Sequence, residues 1–114
     1  QTSRMATKVD HERRAELEAE LPLIVERLVR LGARRLVLFG SLARGEVAPT
    51  SDIDLLVVLD RPGRYADRLA VVYDAMAARV GVDALVFTSA ELAAAAARPF
   101  MRDILAKGRV LHAS

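Results

Sequence analysis

The sequence predicts an α/β domain, and three observations support that class. Apolar residues recur at three- and four-residue steps over residues 10–31 and again over 64–80, as in helices that bury one face. Three short Leu/Val-rich runs, residues 34–39, 53–59 and 82–87, have the length and composition of strands. Gly32, Gly40, Gly63, Gly81 and Gly108 fall between these segments, where the chain has to change direction.

In the first helix Leu17, Leu21, Ile24, Leu28 and Leu31 form the apolar stripe, with Arg and Glu opposite. Pro22 lies inside the pattern, removes one backbone donor and disfavours helical geometry at Leu21, so a kink or a fresh helix start is expected there. Gly32 ends the helix in a left-handed turn. Residues 34–39 read as a central strand covered on both faces, followed by a loop. The second strand, 53–59, has Asp52 and Asp54 at its entrance, and Asp60-Arg61-Pro62-Gly63 forms the next turn. A second helix over 64–80 is expected to bury Leu69, Val72, Tyr73, Met76 and Val80, with Tyr65 extending that face and Gly81 closing it. Strand 82–87 carries Asp83 near its start. Thr88-Ser89-Ala90-Glu91 has the form of a capping box opening an alanine-rich helix before Pro99. A last helical stretch, 100–107, stops at Gly108, and Val110-Leu111 adds a brief edge strand.

A chain of 114 residues fits one domain. It is short for an enzyme that encloses its substrate unaided, so a partner is expected. Residues 10–114 read as that domain, and residues 1–9 as a tag remnant and disordered N-terminus. Aromatic residues make up only 4%, which leaves Leu, Val and Ile to build the core. The net charge of +2 comes without a dense Lys/Arg block, which argues against a nucleic-acid or membrane patch. The absence of cysteine excludes disulfides and thiolate zinc sites and suits a reducing cytoplasm. No apolar run reaches the length of a membrane span, and no signal-peptide core is present.

Polar chemistry is concentrated between the first two strands. Side chains two apart on a strand share a face, so Asp52 and Asp54 stand side by side while Ile53 turns away. Two carboxylates held that close repel unless a cation lies between them, and a hard divalent ion such as Mg2+ suits oxygen ligands and a phosphate-bearing substrate. Gly40-Ser41, directly after a strand, offers backbone N–H groups and a hydroxyl to a phosphate. Each part alone has a blander reading, a solvated acidic pair or a tight turn. Joined to Asp83 opening a third strand, they form a site. Arg44 reaches a phosphate oxygen or caps a short helix. Ser51 hydrogen-bonds substrate or caps a turn, and the turn is preferred. His11 and His112 lack neighbours at ligand spacing and read as solvent histidines.

The residues GSLARGE and TSDIDLLVVL, followed by VDALVF, resemble the nucleotidyltransferase superfamily typified by DNA polymerase beta. The short length is most similar to the minimal nucleotidyltransferases of bacterial HEPN/MNT toxin–antitoxin pairs. The resemblance implies a nucleotidyltransferase fold, a small mixed β-sheet flanked by helices, with Gly40 and Ser41 holding the nucleoside triphosphate. It implies that Asp52 and Asp54 bind two Mg2+ ions, and that Asp83 is the third carboxylate, which helps bind a metal and activates the attacking hydroxyl. It further implies transfer of AMP from ATP to a tyrosine of a HEPN partner, the second domain of larger relatives being replaced by another chain. Two other readings are a binding-only antitoxin with vestigial acids, and an aminoglycoside-type nucleotidyltransferase whose pocket is completed by a homo-oligomer.

Overall fold

Alternation along the strands sorts side chains onto two covered faces of one sheet. In the computed structural model, which describes residues 7–114, the order is α1 (Lys8–Leu31), β1 (Arg35–Phe39), α2 (Gly40–Arg44), β2 (Ile53–Val58), α3 (Tyr65–Met76), β3 (Val82–Phe87), α4 (Ser89–Ala95), α5 (Pro99–Lys107) and β4 (Arg109–Ala113). The sheet runs β3-β2-β1-β4, with β1 antiparallel to both neighbours and β2 parallel to β3. A parallel pair needs a crossover long enough to return the chain, and α3 supplies it. Leu36, Leu38, Ile53, Leu55 and Val57 pack on one face against Leu17, Ile24 and Leu28 of α1 and Val72 and Met76 of α3. On the other face Val37, Leu56 and Val58 meet Leu92 of α4 and Met101 and Ile104 of α5. No helix among the described residues is long and apolar enough to cross a membrane.

Several expectations need correction. No fresh helix starts at Pro22: α1 runs unbroken, because Leu21 and Ile24 on either side of it are anchored in the core while Pro22 faces out. The helix also begins earlier than expected. Thr7 Oγ1 accepts from the Asp10 N–H at 3.2 Å and Asp10 Oδ2 from the Thr7 N–H at 2.8 Å, a capping box that draws residues 7–9 into the first turn. The remainder of the expected N-terminal tail, residues 1–6, lies outside the described residues.

The crossover helix α3 stops at Met76, well short of Val80, with Ala77 in the left-handed region at φ 43°. Side chains of α1 bring this about. Arg27 Nη1 donates to the Met76 carbonyl at 2.8 Å, and Glu20 Oε2 accepts from the Arg79 N–H at 2.6 Å, so groups that another helical turn would have paired are taken by a neighbouring helix. Tyr73, expected on the buried face, is 41% exposed, and Tyr65 is likewise exposed. The Tyr73 ring lies along the edge of β3 instead, where its hydroxyl donates to the Val82 carbonyl at 3.0 Å and accepts from the Ala84 N–H at 2.9 Å. Residues 40–44, expected as loop, form the short α2. β4 is a five-residue strand along β1, and it carries His112 half-buried rather than in solvent.

Candidate active site

β1 delivers the chain to Gly40, whose φ of 76° turns it into α2. Only glycine fits there for a second reason. A Cβ at Gly40 would collide with Asp54 Oδ2 and lie 2.9 Å from its Cγ. The glycine therefore lets the turn sit directly against the Asp54 carboxylate. The N-cap residue of α2, Phe39, makes no side-chain cap bond, which leaves the N–H groups of Gly40 and Ser41 at a helix start for another acceptor.

Strand register assembles the acids. Asp54 on β2 is the Cα partner of Asp83 on parallel β3 and of Phe39 on antiparallel β1. Phe39, Asp54 and Asp83 thus form a row across one face of the sheet, while Ile53 turns into the opposite core, fully buried. Asp52 and Asp54 are half-buried and Asp83 is exposed. Burial, then the Asp83 and Asp52 carboxylates, push the Asp54 carboxyl above its ordinary 3.8, with Arg44 pulling the other way. Asp83 and Asp52 therefore each stand close enough to oppose ionisation of Asp54, and Arg44 close enough to favour it. Arg44 also pairs with Glu46 at 3.3 Å on the surface.

Ser51 is placed in the turn ahead of β2, its Oγ accepting from the Ala48 N–H at 2.8 Å. Sequence reasoning missed Arg13. Its Nη2 donates to Asp52 Oδ1 at 3.1 Å and its Nε to the Ser51 carbonyl at 2.8 Å. The signal was present, since position 13 continues the stripe of Asp10, Leu17, Leu21 and Ile24, and a cation on a buried stripe needs an acid to face. Gly81 makes room for Asp52 in turn: a Cβ there would lie 2.6 Å from Asp52 Cγ.

The donor set suits a hard cation. Mg2+ takes carboxylate oxygens one or two at a time and fills its remaining positions with water and phosphate, and Asp54 is a carboxylate that loses stability when ionised beside two others. Among the described residues no group of three His, Cys, Asp or Glu side chains is arranged to hold a metal ion, so these acids supply only part of a coordination shell, the rest of which would come from substrate phosphates and water.

Comparison with known proteins gives the class. The chain matches the nucleotidyltransferase domain family over residues 19–112 and belongs to it. A crystal structure of a candidate nucleotidyltransferase from Sulfolobus solfataricus shares the fold with a TM-score of 0.66 and 24% identity, over 95% of this chain and 90% of the other. No curated protein matches the chain. Nucleotidyl transfer is thus the general activity of this domain, and Gly40, Asp52, Asp54 and Asp83 fall inside the matched span whereas Arg13 lies ahead of it.

Proposed function

We propose that this chain is a Mg2+-dependent protein adenylyltransferase, moving AMP from ATP to a tyrosine hydroxyl of a HEPN partner and acting as its antitoxin. The observation that carries the reading is the Asp54 carboxylate, whose ionisation Asp83 and Asp52 both oppose, set directly against the uncapped Gly40-Ser41 turn. Backbone N–H groups of Gly40 and Ser41, with the Ser41 hydroxyl, hold the β- and γ-phosphates, and Arg44 adds a cation beside them. Asp52, Asp54 and Asp83 would hold the divalent ions, which when bound neutralise charge on the triphosphate and favour attack at its α-phosphorus. Asp83 is the acid nearest solvent and takes the acceptor's proton. The acceptor oxygen then bonds to the α-phosphorus, the bond from that phosphorus to the bridging oxygen breaks, and pyrophosphate leaves.

A macromolecular acceptor is supported by exposure. Asp83 lies on the edge strand β3, so a tyrosine on another protein reaches it without entering a closed pocket. The Arg13–Asp52 ion pair favours the second reading, a binding-only antitoxin, because it gives one acid a protein counter-ion. Mass spectrometry of the HEPN-type partner after incubation with ATP and Mg2+ separates the two. Transfer predicts AMP on a tyrosine with the parent chain and none with Asp54→Asn. A stable complex that never acquires AMP would establish the binding-only reading instead.

A further inference from the structure

We propose that the cleft between the end of β1, α2 and α5 is the seat of the nucleobase and ribose of the nucleoside triphosphate, with Phe100 as its stacking platform. This rests on the reading of Gly40-Ser41 as the phosphate turn. The cleft encloses about 370 Å³, within the size range of small-molecule sites, and its walls include Phe39, Ala43, Phe100 and Ile104. Gly40 and Arg44 line it as well, so cleft and phosphate turn are one continuous surface.

Register gives that surface a direction. Phe39 is the strand partner of Asp54, and Asp83 lies one strand further on, so the aromatic wall and the exposed acid sit on opposite sides of Asp54. A nucleoside on the β1 side leaves the β3 side, with Asp83, open to the acceptor.

Phe100 explains itself poorly as a core residue. It is 62% exposed, on the first turn of α5, and meets Phe39 edge to face at 6.3 Å and 88°. That geometry leaves ring surface uncovered, and any base can stack on such a surface. Around the apolar wall stand Lys107, paired with Asp103 at 2.9 Å, and Arg44. These exposed pairs rearrange at little cost, which lets the cations turn to an anionic nucleotide and the Asp103 carboxylate accept from a ribose hydroxyl or a base amine.

Calorimetric titration with ATP and with inorganic tripolyphosphate, both with Mg2+, tests the assignment on the parent chain, Phe100→Ala and Phe100→Tyr, with circular dichroism melts to confirm folding. The parent is expected to bind ATP more tightly than tripolyphosphate. Phe100→Ala is expected to weaken ATP about tenfold, the size of one base–aromatic stack, while tripolyphosphate affinity stays within about twofold. Phe100→Tyr, which keeps the ring, restores ATP binding. Equal parent affinity for the two ligands, or an ATP affinity unmoved by Phe100→Ala, overturns the base site and leaves the phosphate turn standing. Loss of both ligands in equal measure in a folded Phe100→Ala also overturns it. A parent that binds neither ligand overturns the phosphate turn and the base site together.

Discussion

Replacing Gly40 with alanine tests the contact on which the site is built. The new residue would hold a left-handed conformation at φ 76°, which costs an L-residue about 1–2 kcal/mol. Its Cβ would also press on Asp54, whose Cγ at 2.9 Å must retreat by about 0.5 Å to reach ordinary contact at 3.4 Å, and whose Oδ2 must move further. Turning the carboxylate off its rotamer adds about 1 kcal/mol. The expected loss is about 2 kcal/mol, or about 8 °C in Tm for a domain of this size. Displacing a reacting group by an ångström costs about a hundredfold in rate, so nucleotidyl transfer should fall by at least that factor. Gly81→Ala is the control: it presses on Asp52 without a positive φ, and Asp52 is 42% exposed with room to swing, so its Tm should fall less. Scanning calorimetry and a label-transfer assay with α-labelled ATP read both effects. A Gly40→Ala protein that melts within about 2 °C of the parent and transfers at more than about half its rate would show that the turn does not position Asp54.

Asp54 ionises less readily in the folded chain than in the unfolded one, so without metal its charge lowers stability as pH rises from 3.8 through the raised folded value. Asp54→Asn should therefore raise Tm near neutral pH in the presence of a chelator, and the difference should vanish as pH falls below 3.8; a variant that melts lower than the parent at neutral pH contradicts the electrostatic account. Tyr73→Phe removes the hydroxyl that bridges Val82 and Ala84 on either side of Asp83. It should lower kcat with KM for ATP unchanged, at a stability cost of about 1 kcal/mol, and an unaltered kcat means that Asp83 holds its place without the bridge. Glu20→Ala strands the Arg79 N–H and should cost about 1–3 kcal/mol in urea denaturation, with Glu20→Gln losing less because it keeps an acceptor. A cost below about 0.5 kcal/mol would move the end of α3 out of α1's control.

How much of this was legible in the sequence depends on the range of the interaction. The three strands were readable because each is a short apolar run, and the two-residue period of a strand places Asp54 opposite Ile53, whereas Asp52 lies just ahead of β2, where that period no longer governs it and Arg13 of α1 holds it. The Thr88–Glu91 capping box was readable because four residues contain the whole interaction. Five-residue α2 is too short to show a period, so it read as loop. The end of α3 is decided by Arg27 and Glu20, some fifty residues earlier in the chain, and no local rule sees them. Tyr73 fitted the apolar stripe by spacing, yet a phenol can lie against the sheet edge and bond with its tip, which periodicity does not distinguish from burial. Strand order and the parallel sense of β2 and β3 are likewise properties of packing, and they decide that Asp83 meets Asp54.

The in-register acids bear on how the sheet finds its pairing. A slip of one residue along β2 would turn Asp54 into the core beneath α1 and α3 and bring Ile53 out to the half-buried rim. Burying an unpaired carboxylate costs several kcal/mol, and partly exposing the isoleucine about 1 kcal/mol more. A slip along β3 buries Asp83 in the same way. The charged row therefore penalises every odd-numbered mispairing of the two parallel strands, the slowest contacts in the sheet to form. Removing all three charges to make an inert chain for trapping a partner would also remove that proofreading, and such a variant should refold with more misregistered, aggregation-prone molecules than any single substitution produces.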